Sequence, residues 1–156
     1  MFGKLKQFVG MVGVNVVLEI EETQLSMSDD VVTGLIRVSA KQEQTITQVK
    51  ATMKQAIMEG TGQDRRRRDY YIGEVTITST PFVIKPGEEK EFPFTLDFTR
   101  RKTMGQQLSE KGGVMGALGT VGKFMDNERD EFWINGMADV KGAALDPNDS
   151  KQVWFR

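Results

Sequence analysis

The chain has 156 residues, of which 38% are hydrophobic and 28% charged, and its formal net charge is −1. That is the length of one domain, here taken as residues 1–156, and it can bury roughly two-thirds of its unfolded surface. A near-zero net charge provides no overall field toward nucleic acid or membrane, so any such attraction must come from a local patch. There are no cysteines and no histidines. Their absence excludes disulfides, thiol nucleophiles, imidazole bases, zinc sites built from Cys and His, and the usual hydrolytic triads. No metal and no cofactor is expected. No run approaches the roughly 18–20 apolar residues of a membrane span. The opening MFGKLKQFVGMVG is interrupted by Lys6 and Gln7 and lacks a small-residue cleavage site. A signal peptide is therefore not expected, and the default location is cytoplasmic.

From Val14 the text alternates. Val14, Val16, Leu18 and Ile20 fall on one face of a half-buried strand. A turn follows at Ser26 to Asp30, with Asp29 and Asp30 as turn residues. Val31 to Ala40 predicts a second strand, in which Gly34 marks a bulge or a close approach. Gln44 to Met58 predicts a third, with a register slip between Ile46 and Val49. Gly60 to Arg68 predicts a loop. Tyr70 to Thr80 predicts a fourth strand, with Tyr71, Gly73, Val75 and Ile77 on one face. Pro81 to Ile84 stays extended. Lys85-Pro86-Gly87-Glu88 has the proline and glycine of a type II turn. Phe92, Phe94, Leu96 and Phe98 make the cleanest core-facing strand. Glu131 to Val140 and Lys151 to Phe155 predict the last two, separated by a turn at Leu145 to Asp149. About seven strands bounded by turns are the pattern of a β-sandwich. The expected core joins Phe92, Phe94, Leu96 and Phe98 to Val75, Ile77, Ile134 and Val140.

Residues 99–129 break this rhythm, being several times longer than a hairpin loop. Met104, Leu108, Met115, Leu118 and Met125 recur at helical spacing, but Gly112, Gly113, Gly116, Gly119 and Gly122 lie among them. Five glycines cost on the order of 5 kcal/mol in a helix relative to alanine, so only packing would hold one. The expectation is a helical insertion near residues 103–127, docked on its methionine side; a loop is the other reading. The N-terminal Phe2, Leu5, Phe8, Val9 and Val12 also share a helical face, suited to covering the end of the sandwich or to lying on a membrane.

Four segments carry a resemblance: VGMVGVNVVLEI, SDDVVTGLIRVSAKQEQTITQVKATM, PFVIKPGEEKEFPFTLDF and INGMADVKGAALDPND. They resemble the bacterial sporulation-control proteins, which are similar to the N-terminal domain of arrestins. The third segment follows that family's F-x-I-x-P-G-E-x-x-x-x-P-F-x-L pattern through Phe82, Ile84, Pro86, Gly87, Glu88, Pro93, Phe94 and Leu96. The resemblance implies an all-β, arrestin-like or immunoglobulin-like sandwich that binds other proteins. It supplies no catalytic or cofactor residues. Most members are longer, and the glycine-rich stretch here exceeds their usual connection.

Among single features, Arg65, Arg66, Arg67 and Arg68 are the sharpest. Four guanidiniums in a loop suit phosphate or another anion, including a membrane surface. The plainer reading is a solvated hairpin tip flanked by Asp64 and Asp69. Leu108, Met115, Leu118, Phe124 and Met125 are the candidate interaction segment, with self-association favoured. Asp146, Asn148 and Asp149 lack the ligand pattern of a calcium loop and fit a turn. The expected function is a non-enzymatic protein-binding or scaffold module that binds a protein partner or itself. A membrane-surface or phosphate-binding module using the basic loop is the alternative, and nucleic acid is not an expected partner.

Overall fold

Alternating apolar side chains build two sheets that close on a shared core. The structure is a computed structural model that describes residues 13–60, 62–101 and 130–156. Its strands are β1 (Val14–Ile20), β2 (Gln24–Leu25), β3 (Val31–Ala40), β4 (Gln44–Glu59), β5 (Arg66–Thr78), β6 (Phe82–Ile84), β7 (Glu89–Asp97), β8 (Glu131–Val140) and β9 (Asn148–Phe155). One sheet has the order β1-β3-β7, and the other β2-β9-β8-β4-β5, with β6 also on β4. All pairings are antiparallel except the short β2–β9 contact. The seven expected strands are present, and the two-residue β2 and three-residue β6 add to them.

Period-2 patterning decides which side chains turn inward. Leu18, Ile36 and Leu96 of the three-stranded sheet, and Ile46, Met53 and Ile134 of the larger one, are fully buried in one cluster. Phe94, Phe98 and Val140 join them, while Val75, Ile77 and Phe92 pack against the cluster partly buried. Gly34 is a close approach with no bulge. A Cβ there would lie 2.6 Å from the Glu19 carbonyl oxygen and 2.7 Å from the Phe94 ring. The ring fills the place a side chain would take. The turn before β7 has Gly87 at φ +79° and an Glu88 N–H to Lys85 carbonyl bond of 3.0 Å, as a type II turn requires. The expected register slip falls between Ile46 and Gln48, where β4 meets β8.

Two sequence expectations need correction. Residues 66–68 are not loop: β5 begins at Arg66, four residues earlier than expected, and pairs Arg66, Arg67 and Arg68 with Glu59, Met58 and Ile57. Only a turn of 3-10 helix, Gly62–Asp64, precedes it. Cross-strand partners from β4 override the low β-propensity of a charge run. Tyr71 does not share a face with Gly73 and Val75 either, because a bulge at Ile72 shifts the register opposite Met53 and Lys54. Tyr71 is 76% exposed. The expected helical insertion, its candidate residues Leu108, Met115, Leu118, Phe124 and Met125, and the N-terminal apolar stripe lie outside the described residues.

The sheets also meet along their sides. Gly73 of β5 sits against the end of β7, where a Cβ would come within 2.5 Å of the Asp97 carbonyl oxygen. Next to it the Thr99 N–H donates to the Ile72 carbonyl at 3.1 Å. On the other side the Asp149 carboxylate of β9 accepts the Leu18 N–H of β1 at 2.9 Å.

Candidate functional site: the open edge of β5

An edge strand presents unpaired N–H and C=O groups, and proteins usually block it. The outer strands here differ in how far each is blocked. On β1 the Asp149 carboxylate caps Leu18 N–H. On β7, Pro93 has no N–H, and residues 97–99 run into β5. Along β9, among the described residues, the two-residue β2 covers Trp154 and Phe155. On β5 the C-terminal half meets β7, but Arg66 to Tyr71 pairs on the β4 side alone among the described residues.

The main-chain groups left open follow from the ladder. Ala138 N–H donates to the Pro147 carbonyl, so the even residues of β8 turn toward β9 and the odd ones toward β4. Carried through the β8–β4 and β4–β5 registers, this leaves Arg67, Asp69 and Tyr71 with main-chain groups facing outward.

The arginine run is thereby divided. Arg66 and Arg68 point to the same face as Tyr70, and Arg67 to the other. Arg68 pairs with Glu59 at 3.4 Å, and the Tyr70 hydroxyl donates to Glu59 at 2.6 Å. Arg67 reaches Glu131 at 3.2 Å and Asp69 at 3.3 Å, while Lys54 pairs with Asp69 at 3.4 Å. Slight desolvation raises the Asp69 pKa, but the Arg67 hydrogen bond and the Lys54 charge outweigh it, so Asp69 titrates below its ordinary value. The guanidiniums do not converge on one point, as a bidentate phosphate clamp would need. Arg65, just before β5, is exposed.

Beneath this edge lies a polar clasp that the sequence did not mark. Gln55 is 1% exposed. Its Nε2 donates to the Arg101 carbonyl at 3.0 Å and to the Asp130 carboxylate at 2.9 Å, and its Oε1 accepts the Arg101 N–H at 2.8 Å. One side chain thus ties Arg101 to Asp130. The Arg101 guanidinium lies 4.0 Å from the Tyr70 ring centroid, a cation–π contact. A glutamine amid apolar β4 neighbours carries no local sign of such a role, because its partners lie 46 and 75 residues away.

A depression of about 620 Å³ opens on the outer face of the small sheet between Glu19, Thr33, Leu35 and Pro93. Among the described residues, no cluster of three or more His, Cys, Asp or Glu could hold a metal ion. None of the described helices is long and apolar enough to cross a membrane. Asp146, expected in a turn, accepts the Val140 N–H at 3.2 Å. Its pKa is raised by burial and by the neighbouring Asp139 carboxylate, against the pull of that hydrogen bond.

Comparison with known proteins places this geometry. The solved structure of Spo0M, the sporulation control protein of Bacillus subtilis, is similar, with a TM-score of 0.66 and 18% identity. The match covers 92% of this chain and 49% of that one, so the chain spans about half the length of that protein. At this identity the likeness shows the fold, an arrestin-like β-sandwich. No curated protein matches. The model of the SpoOM protein family matches residues 2–154, nearly the whole length, and the chain therefore belongs to the Spo0M sporulation-control family.

Proposed function

We propose that this chain is a non-enzymatic protein-binding module whose docking element is the open edge of β5. The observation that supports this reading is the asymmetry of the edges. The β1 edge is capped by Asp149 and the β7 edge is interrupted by Pro93 and crossed at its end, while Arg66 to Tyr71 keeps outward main-chain groups and mostly exposed side chains among the described residues. An added strand would gain main-chain hydrogen bonds there and read the alternating side chains.

The test uses one backbone atom. Tyr71 is exposed and its N–H faces outward, so Tyr71→Pro removes a donor for an added strand and leaves the β4 ladder intact. Purified protein is screened against a displayed library of short extended peptides. Selected peptides should bind wild type and a Tyr71→Thr control, and fail on Tyr71→Pro with its melting temperature retained. Equal binding to Tyr71→Pro would place the docking surface elsewhere.

A further inference from the structure

Resting on that reading, we propose that the β5 edge selects a partner strand carrying carboxylates at alternate positions, i and i+2. The argument starts from how this fold treats an arginine with a strand on each side. Arg37 lies in β3, between β1 and β7. Its guanidinium reaches Glu19 of β1 at 3.1 Å and Glu91 of β7 at 3.4 Å, with Glu89 at 3.9 Å. A guanidinium has five N–H donors in a fixed plane and can serve acceptors on both sides.

Among the described residues, the β5 arginines on the Tyr70 face have their carboxylate, Glu59, on the inward side. Arg68 meets Glu59 from β4, and among the described residues no strand lies on its other flank. It is 61% exposed. Arg66 sits two residues earlier on the same face, directly opposite Glu59. Arg101 adds a third cation over Tyr70. Among the described residues, the carboxylates on that face are Glu59, which already serves Arg68 and Tyr70, and Asp130, held by Gln55. Asp130 lies toward β8, across β4 from the open edge. Among the described residues the face therefore carries an excess of cations at the position where a new strand would lie.

The opposite face differs. There Arg67 and Lys54 are matched by Asp69 and Glu131 in a closed set of ion pairs. A strand added beside β5 would thus meet unbalanced charge on one face only. Side chains on one face of a strand are two residues apart, so the demand is for acids at i and i+2, facing Arg66 and Arg68. Adjacent acids would put one carboxylate on the balanced face.

The probe is a set of labelled, extended Thr/Val peptides read by fluorescence anisotropy at low salt. One has glutamates at alternate positions, an isomer has the same glutamates adjacent, a third has lysines in place of the alternate glutamates, and a fourth is uncharged. The alternating-glutamate peptide should bind wild type on the order of tenfold more tightly than the others, as two favourable cross-strand charge pairs permit. Arg66→Glu with Arg68→Glu should reverse the preference toward the lysine peptide, and Tyr71→Pro should abolish binding. If the double variant does not fold, Arg66→Gln with Arg68→Gln should still erase the preference. Equal binding of the two glutamate isomers would overturn the inference. So would full competition by polyphosphate or by phosphatidylglycerol vesicles, which would mean that any anion suffices. Should the uncharged peptide bind as tightly and Tyr71→Pro still abolish it, the charge rule falls and the edge reading stands. Should none of the four peptides bind wild type, both fall.

Discussion

Gln55→Leu isolates the clasp that joins Arg101 to Asp130. Leucine keeps the burial and nearly the volume of glutamine but removes three hydrogen bonds, two to the main chain of Arg101 and one to Asp130. At about 1 kcal/mol net for each, the loss is about 3 kcal/mol. Arg101 is exposed, so water recovers part of this, and about 2 kcal/mol is expected. In a chain of 156 residues that lowers the melting temperature by about 4–8 °C. The local effect is sharper: the Arg101 amide loses its acceptor and should exchange much faster in native-state hydrogen exchange, while β8 amides keep their protection. Circular dichroism gives the melting curve and mass spectrometry the exchange. An unchanged melting temperature together with unchanged exchange at Arg101 would refute the clasp.

Phe94→Ala should cost about 3–5 kcal/mol, because the ring is buried over Gly34 and nothing nearby fills the cavity; chemical denaturation measures it. Gly73→Ala should destabilise by more than 1 kcal/mol, since the new Cβ meets main chain at Asp97 and not a movable side-chain end, and loss of the Thr99 amide's protection would locate the damage. Asp146→Asn should stabilise the fold at neutral pH. A carboxyl whose folded pKa is raised costs stability as pH rises through the window above its unfolded value near 3.8. Asparagine keeps the acceptor for Val140 and removes that titration, so melting curves across pH 4–7 should diverge, with the variant gaining toward pH 7.

What was legible in the sequence was whatever alternation encodes. Val14 to Ile20, Phe92 to Phe98 and Glu131 to Val140 announce both their state and their buried face, because a period of two has only one way to meet a core. Gly87 and Gly34 were legible because each has a physical requirement at its place. The start of β5 was not, because four consecutive arginines have no strand signature until Glu59 stands opposite them. Tyr71 was assigned the wrong face because one inserted residue, Ile72, inverts the parity of everything before it. Gln55 and Asp149 were invisible for another reason. Each acts through partners far along the chain: Asp149 caps a strand 131 residues away, and only the folded topology brings the two together.

The arginines of β5 also bear on why the edge can be left open at all. A bare strand edge invites its own copy, and antiparallel pairing of two β5 edges would place arginines from both chains on the same face and close together. Like charges facing each other across strands are destabilising, and edge charges are a standard defence against such pairing. Glu59 offsets part of this charge on each chain, but it lies on the β4 side and is already engaged by Arg68 and Tyr70. The same side chains that discourage a second β5 edge are those that would favour an acidic strand. On the proposed reading, one run of residues performs both halves of a specificity problem, repelling the wrong partner and attracting the right one. Any association through other parts of the chain is independent of this edge. Replacing Arg66 and Arg68 with threonine separates the two roles. That variant should gain concentration-dependent self-association through β5, seen as a rise in mass by light scattering that Tyr71→Pro reverses. A variant that stays at the wild-type mass at every concentration would show that the arginines are not what keeps the edge from pairing with itself.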